Sequence, residues 1–186
     1  MPHVSLTTIL YDATGRKYGV PNLWGGNLEK VIGYLKAAER LQAPLCICYN
    51  RGLCPDIPIE IDMPLIVRAA EHAKVPIATV LDHGEDFDEV IAAIEYGASS
   101  VMFDGSSLPY EENVAKTREI VEYAHRHKVD VEAELGAVGG SAIETGGGAD
   151  IKSTQTDPKQ ARDFVARTKV DALAISFGNS HGKYKG

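Results

Sequence analysis

The chain has 186 residues, 44% of them apolar and 24% charged, with a formal net charge of −7. That much apolar chain supports one well-packed domain and argues against disorder. The acidic balance, with no Lys/Arg cluster before the last residues, argues against nucleic acid or an anionic membrane as partner.

No segment approaches the roughly 18 apolar residues that a membrane span needs, and MPHVSLTTILYDATG lacks a basic region followed by a long apolar run. KYGVPNL reads as a first strand and leads into NLEKVIGYLKAAERLQ, where Leu28, Val31, Ile32, Leu35 and Ala38 repeat at helical spacing. PLCICYN follows as a second strand, then a Pro-rich turn and the helical PIEIDMPLIVRAAEHAK. Cys46 and Cys48 alternate along that strand and share a face; with Cys54 they read as reduced, buried thiols of a cytoplasmic protein rather than a disulfide framework or soft-metal site. PIATVLDH precedes DFDEVIAAIEYG, whose Gly97 suits a helix C-cap. SSVMFDG precedes EENVAKTREIVEYAHRHK; DVEAELG precedes a Gly-rich loop and DPKQARDFVARTK; DALAISFG runs into NSHGKYKG. Six strand–helix steps without a composition break predict a single α/β domain with a parallel sheet.

In such folds the loops after the strands share one rim, where catalytic groups gather. The predicted strand ends are Asn22, Asn50, Asp82-His83, Asp104 and Glu134, with His181 just past the sixth. Imidazoles and carboxylates converging on one rim suit a divalent transition metal, zinc foremost. Glu132 and Glu134 stand two apart and point to the same side of their strand, where two buried acids would be costly without a cation; Glu132 alone could equally pair with an Arg or Lys. Asp82 and His83 are adjacent, so alternation separates them unless the strand has already ended. The pair Gly139-Gly140 and the run Gly146-Gly147-Gly148 bracket SAIET in a loop that could close over a site or could have no role. No lysine lies within the apolar core of a strand, which disfavours Schiff-base chemistry, and neither G-x-G-x-x-G nor a Walker-type loop is present.

LDHGEDFDEVIAAIEYGASSVMFDGSSLPYEENV, VEAELGAVGG and ISFGNSHGKYKG together resemble the class II, metal-dependent fructose-bisphosphate and tagatose-bisphosphate aldolases, from about Gly19 to the end. The motifs D-H-G-E, M-x-D-G-S, E-x-E-L-G-x-x-G-G and H-G-x-Y occur in the family's order. The resemblance implies a TIM-type (β/α)8 barrel and reversible cleavage of a ketose 1,6-bisphosphate to dihydroxyacetone phosphate and an aldehyde phosphate. It implies Asp82 as proton donor to the aldehyde oxygen, and His83 and His181 as zinc ligands. Asp104 and Glu134 match a second metal site or an alternative zinc position. Gly182 matches a backbone contact to dihydroxyacetone phosphate and to a monovalent cation, and Asn22 a substrate-side Asn, although Pro21 precedes it. The implied setting is cytoplasmic, with a small phosphorylated sugar as ligand and a homodimer or homotetramer as assembly.

Two features depart from that pattern. Many members carry paired acids after the Gly-Gly of the loop, where this chain has Ser141-Ala142, leaving Glu144, out of register, as the nearest acid. The family also continues for two more strands, bringing a third zinc-binding His and the phosphate loops, whereas about six βα units are present here. The expectation is a single, C-terminally incomplete aldolase barrel over 1–186. A symmetric partner covering the gap, or a shortened noncatalytic relative that still binds metal or sugar phosphate, are the alternatives.

Overall fold

Alternating side chains sort each apolar run into an outward and an inward set, and the two sets meet different neighbours. A computed structural model describes residues 2–139 and 154–181. In chain order it contains α1 (Leu6–Arg16), β1 (Asn22–Trp24), α2 (Leu28–Leu41), β2 (Leu45–Tyr49), α3 (Ile59–Glu71), β3 (Ile77–Gly84), α4 (Phe87–Glu95), β4 (Ser100–Phe103), α5 (Tyr110–Arg126), β5 (Asp130–Leu135), α6 (Pro158–Thr168) and β6 (Ala172–Ile175). The strands form one six-stranded parallel sheet in the order β1-β2-β3-β4-β5-β6. Sequential parallel order with intervening helices gives a half-barrel of the TIM type, matching the predicted architecture.

The outward set, including Ile47, Ile77, Leu81, Val101 and Val131, packs beneath the helices with Val31, Ile66, Ile120 and Phe164 as the main core. Helix starts are fixed by side chains that satisfy free N–H groups: Asn27 accepts from Lys30, Asp86 from Glu89 and Asp157 from Lys159.

The inward set forms a second, smaller cluster. Cys46, Cys48, Ala78 and Val80 meet Leu6 and Ile9 of α1, a helix that precedes the first strand. Its N-terminus is tied to the lower ends of two strands: Val4 N–H donates to Ile77 O at 2.9 Å, and Thr7 N–H to Asp130 Oδ2 at 2.6 Å. The helix therefore closes the half-barrel at the N-terminal ends of its strands and leaves the opposite end as the mouth.

Ile9 is 2% exposed and carries much of this contact. Ile9→Ala should lower stability by about 2–4 kcal/mol in urea denaturation; a loss under about 1 kcal/mol would show that α1 does not seal the sheet.

Candidate active site

Inter-strand register brings the polar strand ends to one mouth. Asn22 pairs with Cys46, Cys48 with Val80, Val80 with Ser100, Ser100 with Asp130, and Glu132 with Ala172. By alternation Asn50, Asp82, Asp104, Glu132 and Glu134 continue these inward rows toward the C-terminal ends of the strands. Asn22 is the first residue of β1, not its last as the sequence suggested; Trp24 occupies the mouth end, and Pro21 supplies its carbonyl to Cys46 N–H just before the strand. Asn22 nevertheless lines the cavity with Asp82, His83 and His181.

Asp82 and His83 both face inward, although alternation should separate them. The register explains this. Leu81 pairs with Val101 but Gly84 with Phe103, so β3 has one residue more than β4 between the two pairings. His83 takes φ of +53°, a conformation uncommon outside glycine and found at strained functional positions. The next residue must be glycine: a Cβ at Gly84 would stand 2.8 Å from Leu81 Cδ2 and 2.9 Å from Met102 O.

His83 Nδ1 lies 2.8 Å from Asp104 Oδ2 and 4.0 Å from Glu134 Oε2. Asp104 is itself held by Ser106, whose N–H and O–H donate to Oδ1 at 3.0 and 2.6 Å, the turn that the D-G-S motif encodes. Gly105 makes that turn fit, because a Cβ there would lie 2.2 Å from Asn113 Oδ1. Buried Asn113 of α5 donates to the Glu134 carbonyl at 3.0 Å and accepts from Thr117. Val138 N–H donates to Glu134 Oε1 at 3.3 Å. His181 arrives from beyond β6, its N–H donating to Gly139 O at 2.7 Å, and its ring sits edge-on to His83 with centroids 5.6 Å apart. Gly182 and Glu144 lie outside the described residues.

The electrostatics are those of crowded acids around one imidazole. Burial disfavours the charged imidazole of His83, but its hydrogen bond to Asp104 and the charges of Asp82, Asp104 and Glu134 outweigh this and push it up to about 9. Burial would raise Asp104, yet hydrogen bonds from His83 and Ser106 hold it below the usual carboxylate range. Glu134 is pushed up to about 7 by burial and by Asp104. Glu132 is likewise pushed up to about 7, by burial and by Asp82, and no Lys or Arg pairs with it among the described residues. Burial lifts the inward-facing Cys46 thiol to about 12 and Cys48 further still, so both are protonated, and all three cysteines are free.

Ligand-capable atoms of His83, Asp104 and Glu134 all lie within 4.8 Å of one another, at the side of a cavity of about 470 Å³ lined also by Asp82, Glu132 and His181. One imidazole and two carboxylates, each buried or half-buried, form a donor set suited to a divalent cation.

Residues 4–186 match the family model described as fructose-bisphosphate aldolase class-II. This chain belongs to that family. It is 42% identical to a fructose-bisphosphate aldolase of Giardia intestinalis over 188 residues, covering 100% of this chain and 56% of the relative. Among solved structures, the YdjI aldolase of Escherichia coli K12 superposes with a TM-score of 0.85 at 32% identity, covering 96% of this chain and 64% of that one. A structure described as a putative fructose-1,6-biphosphate aldolase from Coccidioides immitis superposes with a TM-score of 0.86 at 31% identity, covering 96% and 62%. The chain thus spans between 56% and 64% of the length of these relatives. No helix among the described residues is long and apolar enough to cross a membrane.

Sequence reasoning passed over Ser106, Asn113 and Trp24. Ser106 was legible as the hydroxyl two residues after a strand-end Asp, whereas Asn113 is an ordinary helix residue until the fold brings α5 against β5.

Glu132 supplies a pH test. Its folded pKa lies above the ordinary 4.5, so the stability linked to its protonation is complete below about 4.5 and lost as pH rises through about 7. In chelator-containing buffer, urea-measured stability should fall over that interval, and Glu132→Gln should flatten the fall. An unchanged profile in the variant would remove Glu132 as its source.

Proposed function

We propose that this chain carries the metal-holding part of an aldolase that reversibly cleaves a ketose 1,6-bisphosphate, of the fructose or tagatose type, into dihydroxyacetone phosphate and an aldehyde phosphate. The observation that carries the reading is the meeting of His83 and His181 across one mouth, 5.6 Å between ring centroids, beside the group of half-buried His83 and Asp104 with buried Glu134. The family match supports it because the matched range, residues 4–186, includes all of those residues.

In this reading a divalent cation, zinc by donor chemistry, would be held by His83 and His181, with Asp104 and Glu134 forming a second metal site or an alternative zinc position. When bound, it supplies Lewis-acid polarisation of the oxygens of the three-carbon fragment. Asp104, by accepting from Nδ1–H of His83, leaves Nε2 with the lone pair that coordination requires. His83 holds a proton in the cation-free chain, so loading releases protons and strengthens with rising pH. Asp82 gives its proton to the aldehyde oxygen during condensation and recovers it during cleavage. Asn22 contacts substrate from the cavity wall. Gly182 is proposed to meet dihydroxyacetone phosphate and a monovalent cation through its backbone.

Thorough EDTA treatment of the full-length protein should depress fructose 1,6-bisphosphate cleavage by at least about 100-fold, with recovery on adding Zn²⁺. Activity that survives chelation, or a covalent adduct trapped by borohydride, would overturn the mechanism. Stoichiometric metal uptake without turnover of either ketose bisphosphate would favour a noncatalytic metal-binding relative instead.

His181→Ala should weaken Zn²⁺ binding by about 10- to 100-fold in competition with a chromogenic chelator. Unaltered affinity would remove His181 from the ligand set.

A further inference from the structure

We propose that Asn50 is a positioning residue for Asp82, fixing which carboxylate oxygen faces the substrate; this rests on the aldolase reading above. Asn50 ends the inward row of β2 one step beyond Tyr49 and is 2% exposed. Its side-chain Oδ1 accepts the Leu53 N–H at 3.1 Å, which commits the carbonyl end of the amide to the β2–α3 loop. The Nδ2 end is thereby turned to the neighbouring strand, where it donates to Asp82 Oδ2 at 3.1 Å.

The backbone from which this side chain springs is fixed as well, since Asn50 O accepts from Leu53 N–H, Cys54 N–H and the Cys54 thiol at 3.1–3.2 Å. A second, weaker donor reaches Asp82 Oδ2: the Cys48 Sγ–H at 3.8 Å. Both donors converge on Oδ2, and among the described residues Oδ1 has no hydrogen-bond partner, so it is the oxygen presented to a ligand in the cavity that Asp82 shares with His83 and His181.

A loop cap alone does not require an amide. Serine or aspartate accepts an N–H as well as asparagine does, but the N–H donor aimed at Asp82 is what the amide adds. Because this donor acts on the carboxylate that moves the aldehyde-side proton, its loss should affect C–C bond cleavage. Proton exchange at the hydroxymethyl carbon of dihydroxyacetone phosphate, which involves no aldehyde, should be spared.

The test compares wild type with Asn50→Ser, which keeps an acceptor for Leu53 but is too short to reach Asp82, and with Asn50→Ala, which lacks both. In the full-length, zinc-loaded protein, Asn50→Ser should lower kcat for fructose 1,6-bisphosphate cleavage by about 10- to 100-fold. KM should change by less than about threefold and the rate of solvent deuterium entry into dihydroxyacetone phosphate by less than about twofold. Asn50→Ala should show the same split and additionally a lower melting temperature. Cleavage within about twofold of wild type in Asn50→Ser would overturn the proposal. So would a parallel fall of cleavage and exchange in both variants, or a raised KM at unchanged kcat, which would make Asn50 a substrate contact. Wild-type protein that catalyses neither reaction would overturn the aldolase reading and this inference with it.

Discussion

A single extra residue in β3, between Leu81 and Gly84, organises the site. Without it Asp82 and His83 would lie on opposite faces of the sheet, one among the helices and one in the barrel. The irregularity forces His83 into a left-handed backbone conformation and demands a glycine after it, and it places a carboxylate and an imidazole side by side on the inner face. Conformational strain of this kind persists only where surrounding packing fixes it, and here Leu81 and Phe103, both nearly fully buried, hold the strands on either side.

Around that pair, the supporting shell is drawn from elements that never enter the cavity. Ser106 orients Asp104 from a turn, Asn113 reaches from α5 to the carbonyl of Glu134, and the loop after β2 grips Asp82 through Asn50. Asp104 receives hydrogen bonds from both His83 and Ser106, and Asp82 from both Asn50 and Cys48, so these two carboxylates are each held by more than one neighbour.

The parallel α/β architecture was legible because strand and helix periods alternate without interruption, and the inward pairing of Glu132 with Glu134 followed from strand parity alone. The ring of polar strand ends was legible for the same reason, since Asn50, Asp82-His83, Asp104 and Glu134 terminate apolar runs that read as buried strands. Two things were not. The first helix was missed because Leu6, Ile9, Leu10 and Ala13, at helical spacing after the Ser5 cap, lie in a short segment that precedes the repeating pattern. Its role depends on Asp130, 123 residues away from Thr7 in sequence. The position of Asn22 was misjudged because the strand is only three residues long and starts one residue after the proline, so the polar side chain that appeared to end it begins it. The bulge itself left no mark beyond Gly84, because a register shift is a relation between strands rather than a property of one.

Asp82, Glu132 and Glu134 line the same well, Asp104 flanks it through its contact with His83, and no Lys or Arg pairs with any of the four among the described residues. An anion approaching this surface while it holds no cation meets a like-signed field that screening only partly relieves. A divalent ion held there would offset that charge. Under the aldolase reading proposed above, the wall therefore favours one order of assembly, ion before sugar.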